Sequence, residues 1–233
     1  MSSDQPTSAS PVVELKNLEL QRGSETVLKI PSLRLESGTQ TLLMGGSGTG
    51  KSSLIHLLAG FLAPTSGNYW FEGREVGGLR ETQWDRLRAG RVGVVFQHYP
   101  LLRGFSVLEN LLIPMGLAGH PDRGRALSLL ERVGLGHRLS HRPSQLSAGQ
   151  RQRVALVRAL VNKPSLVLAD EPTAHLDPES GQAALTLLKE LVGETGSTLL
   201  LVSHDHSLKG EFSHQLLLED LNEAYRPRTE VSV

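Results

Sequence analysis

Gly45-Gly46-Ser47-Gly48-Thr49-Gly50-Lys51-Ser52 stands between the apolar run Thr41-Leu42-Leu43-Met44 and the segment Ser53-Leu54-Ile55-His56-Leu57-Leu58-Ala59. The octapeptide fits G-x-x-x-x-G-K-[ST], in which a glycine-rich turn lets successive backbone N–H groups face inward around a phosphate chain. Its flanks read as a strand and a helix, the context the pattern requires. Lys51 is long enough to reach the outer phosphates, Ser52 can place a hydroxyl on Mg²⁺, and the helix N-terminus beginning near Ser53 adds partial positive charge. A flexible Gly/Ser turn would explain the glycines but leave the Lys-Ser pair without a reason.

The 233 residues suffice for a well-buried core in one large domain, or a domain with a subdomain. Lys+Arg 24 balances Asp+Glu 24, so nothing in the net charge asks for nucleic acid or an anionic membrane surface as the main partner. Without cysteine there is no disulfide framework, thiolate metal site or cysteine nucleophile, which fits a reducing compartment. Met1 to Pro11 lacks an apolar stretch behind a basic end and does not read as a signal peptide. The longest apolar runs, such as Leu199-Leu200-Leu201-Val202, fall far short of the roughly 20 residues of a membrane-spanning helix. Work on a membrane would need another chain to cross it.

Residues 1–10 and 223–233 have no apolar period to bury and are expected to be flexible tails around a folded unit of 11–222. Val12-Val13-Glu14-Leu15, Leu18-Glu19-Leu20, Val27-Leu28-Lys29-Ile30 and Leu33-Arg34-Leu35 predict short strands of a half-exposed antiparallel sheet, with turns at Arg22-Gly23-Ser24 and Pro31-Ser32. Val92 to Phe96, Leu166 to Ala169 and Thr198 to Val202 are nearly continuous apolar runs, as in parallel strands covered on both faces. Between them, from about Ser106 to Asn162, the spacing turns helical: Leu127, Leu130 and Val133-Gly134 form one face, and a helix after Ser147 carries Val154, Leu156, Val157 and Leu160. Asp177-Pro178 opens another helix, with Ala184, Leu187, Leu188 and Leu191 on one side. Alternating strands and helices predict an α/β fold around a mainly parallel sheet.

Asp170-Glu171 ends an apolar strand. Beside a phosphate loop, the first carboxylate is placed to support Mg²⁺ and the second to deprotonate an attacking water; alone, the pair is an acidic turn before Pro172. Gln97 and His204 each follow a strand expected to flank the phosphate site, where open α/β sheets collect ligand contacts, although a lone Gln or His there also serves as a cap. Ser147 with Gln150 forms a capping box, and the same helix end could bind a phosphate. Spacing does not choose between the two.

The order Gly45 to Ser52, Gln97, Leu146-Ser147-Ala148-Gly149-Gln150, Asp170-Glu171-Pro172-Thr173, Leu176-Asp177 and Ser203-His204-Asp205 resembles the ATP-binding subunits of ABC transporters over about residues 12–222. More narrowly, His141 to Leu146 and Leu160 to Glu171 look like the branch of lipoprotein-release, macrolide-export and cell-division cassettes. The resemblance implies a P-loop NTPase (RecA-like) core, an N-terminal antiparallel β subdomain and a helical subdomain inserted at about 98–162. It implies ATP and Mg²⁺ as cofactors and a nucleotide-sandwich dimer: each ATP is held by Gly45 to Ser53 of one copy and capped by Ser147 and Gly149 of the other, which gives Ser147 a double role. Carried over, Ser52, Gln97 and Asp170 serve the metal, Gln97 also senses the membrane partner, and Glu171 is the general base. His204 contacts the γ-phosphate, and Asp177 lies in the loop linking the two sites.

Several positions depart from the family pattern besides Ala148, which replaces a glycine. Gln21 and Arg22 stand where an aromatic often lies under adenine, making Arg22 the stacking candidate; His175 replaces an Asn and Gln150 a Glu. The reading implied is an ATPase subunit held on the cytoplasmic face of the inner membrane by an integral permease, exporting or extracting a lipid, lipoprotein or peptide-like substrate. A regulatory motor acting on a membrane partner without transport is the alternative, ahead of a soluble ATPase acting on DNA or ribosomes. The segment Leu101-Leu102-Arg103-Gly104-Phe105, read as helical, is the expected docking surface for the permease.

Overall fold

The structure, a computed structural model, describes residues 10–174 and 176–225; most of both expected tails, and His175, lie outside these residues. In chain order the elements are β1 (Pro11–Arg22), β2 (Glu25–Glu36), β3 (Gln40–Met44), α1 (Lys51–Leu58), β4 (Ser66–Phe71), β5 (Arg74–Glu75), α2 (Glu81–Arg91) and β6 (Val92–Val95). There follow α3 (Val107–Leu117), α4 (Arg123–Arg132), α5 (Ala148–Leu160), β7 (Leu166–Asp170), α6 (Pro178–Thr195), β8 (Thr198–Ser203), β9 (His214–Leu217) and α7 (Leu218–Leu221). Two sheets result, an antiparallel one ordered β2-β1-β4-β5 and a parallel one ordered β6-β7-β8-β3-β9.

The inner strands β7, β8 and β3 are apolar along most of their length because both faces are covered, whereas the edge strand β9 (His214–Leu217) is largely exposed. Leu42, Val167, Ala169, Leu199 and Leu201 point into a core shared with α3, α4, α5 and α6. Their neighbours Leu43, Leu166, Leu168, Leu200 and Val202 point into a second core, with α1 and the antiparallel sheet. The apolar pattern therefore fixes both partners of the sheet at once.

The expected turn at Pro31-Ser32 is absent. The segments on either side join into the single strand β2, with Ile30 opposite Leu18 and Ser32 opposite Lys16. Strand β2 is an edge strand, so the missing N–H of Pro31 interrupts no interior ladder. The pair β4 and α2 carried no sequence signal: β4 opens on Ser66-Gly67-Asn68, which reads as a turn, and α2 buries only Trp84. Leu101 to Phe105 is a turn and not a helix. Buried Asn110 fixes it, accepting from Leu102 N–H at 2.8 Å and donating to the carbonyls of Leu102, Phe105 and Ser106. Glu223, expected in a tail, donates its N–H to Lys29 O at 2.9 Å.

Gly93 lets β6, which leads to Gln97, lie directly on α5. A Cβ at Gly93 would stand 2.2 Å from the Ala159 carbonyl oxygen, a backbone atom that cannot swing away. Gly93→Ala is therefore expected to lower stability by about 1–3 kcal/mol, read as a reduced midpoint of urea unfolding.

Candidate functional site

Pairing brings the expected residues to one edge of the parallel sheet. Met44 lies level with Ser203, Asp170 with Val202, and Val95 with Ala169. The segments leaving β3, β8, β7 and β6 thus emerge side by side, carrying the phosphate loop, His204, Asp170-Glu171 and Gln97. They surround an open hollow of about 640 Å³ lined by Val27, Ser47, Gly48, Gly50, Lys51, Ser52, Ser53, Gln97, Asp170, Glu171 and His204.

The loop is tied to itself. Lys51 Nζ donates to the carbonyls of Gly45 and Gly46, both at 2.7 Å, and the buried Thr49 hydroxyl donates to Gly46 O at 3.0 Å. Gly50 caps α1 at φ 104°, a conformation that disfavours any side chain, and a Cβ there would meet Leu28 Cδ2 at 2.7 Å.

Glu171 leaves β7 in a left-handed turn at φ 47°. Its carboxylate is gripped on both oxygens: Oε1 accepts from the His204 backbone N–H at 3.1 Å and contacts His204 Nδ1 at 2.7 Å, and Oε2 accepts from the Ser203 hydroxyl at 3.2 Å. Burial pushes the Asp170 carboxyl above its usual range, against a hydrogen bond from Ser52 that favours the charged form; repulsion from Glu171 adds to the rise. Asp170 Oδ1 is buried and has no hydrogen-bond partner among the described residues. An orphaned carboxylate oxygen beside a hydroxyl and an amide is a hard-oxygen donor set that fits Mg²⁺. No cluster of three His, Cys, Asp or Glu that could hold a metal occurs among the described residues.

Other expected residues lie elsewhere. Arg22 is exposed at the end of the β1–β2 hairpin, opposite Glu25, and does not line the hollow. Val27 lines it instead, and as an ordinary strand valine it carried no signal. Ser147 caps α5, accepting from Gln150 N–H at 3.2 Å while its own N–H donates to Gln150 Oε1 at 3.0 Å. Ser147 and Gly149 are outside the hollow; Ser147 is exposed, and a Cβ at Gly149 would meet nothing within 4 Å. Asp177 caps α6 by accepting from Ser180 N–H at 2.9 Å, which holds its carboxyl below the usual range. It borders an adjoining hollow of about 670 Å³ that shares Glu171 and His204 with the first.

The family profile described as ABC transporter matches residues 28–174. The chain belongs to the ABC transporter family. The lipoprotein-releasing system ATP-binding protein LolD of Shewanella denitrificans is 43% identical over 197 residues, covering 83% of this chain and 84% of that protein. LolD of Pseudomonas syringae pv. tomato is 42% identical over 215 residues, covering 89% and 95%. Among solved structures, the dimeric post-hydrolysis state of the ATP-binding cassette MJ0796 with ADP and phosphate matches with a TM-score of 0.79 at 32% identity, covering 93% of this chain and 97% of that one. This ABC cassette is an ATPase, with ATP and Mg²⁺ as its cofactors.

The His204 side chain is 68% exposed, so its loss leaves no cavity. His204→Ala is expected to lower ATP turnover about 10²–10³-fold, the weight of one positioned polar contact at the reacting phosphate, with an unchanged melting temperature. Wild-type turnover would separate His204 from the chemistry.

Proposed function

We propose that this cassette is the ATP-hydrolysing subunit of a system that extracts lipoproteins from a membrane, acting as a pair of copies against an integral permease on the cytoplasmic face of the inner membrane. The convergence of Lys51, Ser52, Gln97, Asp170, Glu171 and His204 on one hollow carries the catalytic part of this reading. The likeness to LolD proteins at 42–43% identity supports the substrate class.

In this reading the N–H groups of Gly45 to Ser53, apart from that of Gly46, which donates to Glu219 Oε1, cradle the phosphates, and Lys51, resting here on two loop carbonyls, has the outer phosphates within reach. Ser52, Gln97 and Asp170 hold Mg²⁺, which neutralises charge on the phosphate oxygens. Glu171 takes a proton from the attacking water, its carboxylate aimed by the Ser203 hydroxyl and by the backbone N–H and Nδ1 of His204. Ser147 and Gly149 of a second copy close over the γ-phosphate, which suits the exposed Ser147 and the half-buried Gly149 at a positive helix end. Asp177, in the adjoining hollow, lies on the path between the two sites. The turn with Leu102 and Phe105, 40% and 45% exposed, offers the permease an apolar surface directly after Gln97. No described helix is long and apolar enough to cross a membrane.

Glu171→Gln is expected to lower turnover by about 10²–10⁴ while retaining ATP, so that a dimer accumulates in size-exclusion chromatography. Adding Ser147→Ala should abolish that dimer with little change in nucleotide binding by the single copy; equal loss of both would reduce Ser147 to a helix cap. The cassette isolated from its native membrane is expected to bring down an integral permease that stimulates its ATPase. Recovery with nucleic acid and without a membrane protein would reject the transport reading.

A further inference from the structure

Asn222 follows α7, beyond the last strand, and is 1% exposed. Its amide is fully used: Nδ2 donates to Thr49 O and to Val27 O, both at 2.9 Å, and Oδ1 accepts from Lys29 N–H at 2.8 Å and Ala224 N–H at 3.2 Å. Two donor hydrogens and two lone pairs meet two carbonyls and two N–H groups, so the inverted amide would face like against like and is excluded. One buried side chain thus joins the strand that walls the hollow at Val27 to the phosphate loop at Thr49. Its segment grips the loop a second time, where Glu219 Oε1 accepts from Gly46 N–H at 2.6 Å.

We propose that Asn222 is a positioning residue for nucleotide binding: by holding the Thr49 carbonyl away from the hollow, it aims the Gly50 N–H into it. The peptide joining Thr49 to Gly50 is planar and trans, so its C=O and N–H point in opposite directions, and fixing one fixes the other. Gly50 needs such a restraint, because at φ 104° its own backbone is free to leave this conformation. A Cβ on Gly50 would come within 3.5 Å of Asn222 Nδ2, which places the amide against the loop at this residue. The bond to Val27 O sets the distance between the loop and the opposite wall in the same step. This inference rests on reading Gly45 to Ser52 as the phosphate loop.

The test compares Asn222→Ala and the nearly isosteric Asn222→Asp with wild type. Asn222→Asp keeps an acceptor for Lys29 N–H but turns an oxygen toward the carbonyls of Thr49 and Val27 in place of both donors; Asn222→Ala removes the donors without adding charge, and thermal melting reports whether each variant is folded. Binding of Mg·ADP is measured by calorimetry, the ATPase by steady-state kinetics and folding by thermal melting. Both variants are expected to bind Mg·ADP about tenfold more weakly and to raise KM for ATP in parallel, with kcat at saturating ATP within about threefold of wild type. Glu223→Ala, which frees the same segment from Lys29 Nζ without touching the loop, should leave KM unchanged. Unaltered Mg·ADP affinity in the folded variants overturns the proposal, as does a fall in kcat that tracks the loss of folded protein with no change in KM. Failure of the wild-type cassette to bind Mg·ADP would instead reject the phosphate-loop reading, and this inference with it.

Discussion

The parallel pairing of β6, β7, β8 and β3 is the constraint on which the site depends. Met44 level with Ser203 and Asp170 level with Val202 bring the phosphate loop, the two carboxylates and His204 to a common edge. A slip of one residue in any ladder would exchange the two cores that face this sheet. The hydrophobic pattern that buries Leu42 on one side and Leu43 on the other therefore also aligns the catalytic edge. Packing and chemistry are specified by the same register.

Carboxylates beside a site for a polyanion are repulsive unless something offsets them. Glu171 spends its oxygens on Ser203 and His204, and Asp170 keeps one buried oxygen without a partner. An unpartnered buried carboxylate oxygen is costly, and in the proposed reading a divalent cation shared with phosphate would offset that cost and couple metal to nucleotide through Asp170. On the helical side of the molecule, Ser147 and the N-terminus of α5 stand outside the hollow, and Ser147 is exposed. In the proposed pair each copy completes the other's pocket. The short path from Gln97 to the exposed Leu102 and Phe105 then connects pocket and permease.

Most of the site was legible because its residues form local patterns. Gly45 to Ser52 is a contiguous loop whose function follows from its own backbone, and Asp170-Glu171 and His204 each end an apolar run that announces a buried strand. The place of Arg22 along the hairpin makes it the stacking candidate, but spacing does not fix which way a hairpin end turns; in the structure Arg22 is exposed and Val27 lines the hollow. Pro31-Ser32 misled because a turn signal at an edge strand competes with no interior hydrogen bond. Asn222 and Glu219 were invisible: an Asn and a Glu near the end of a chain have no pattern that shows which loop they will touch, and their partners lie 173 to 195 residues away.

By itself, the sequence determined the α/β class, the phosphate loop, the acidic strand end and the capped helices, since each rests on residues close together in the chain that act through backbone geometry or periodicity. Only the tertiary structure decided that Val27 lines the hollow and Arg22 does not, that Leu101 to Phe105 is a turn pinned by Asn110, and that Asn222 clamps Thr49 to Val27. These depend on hydrogen bonds and contacts whose geometry is set by the packing of several elements at once, and short-range patterns carry no record of where such distant groups will meet.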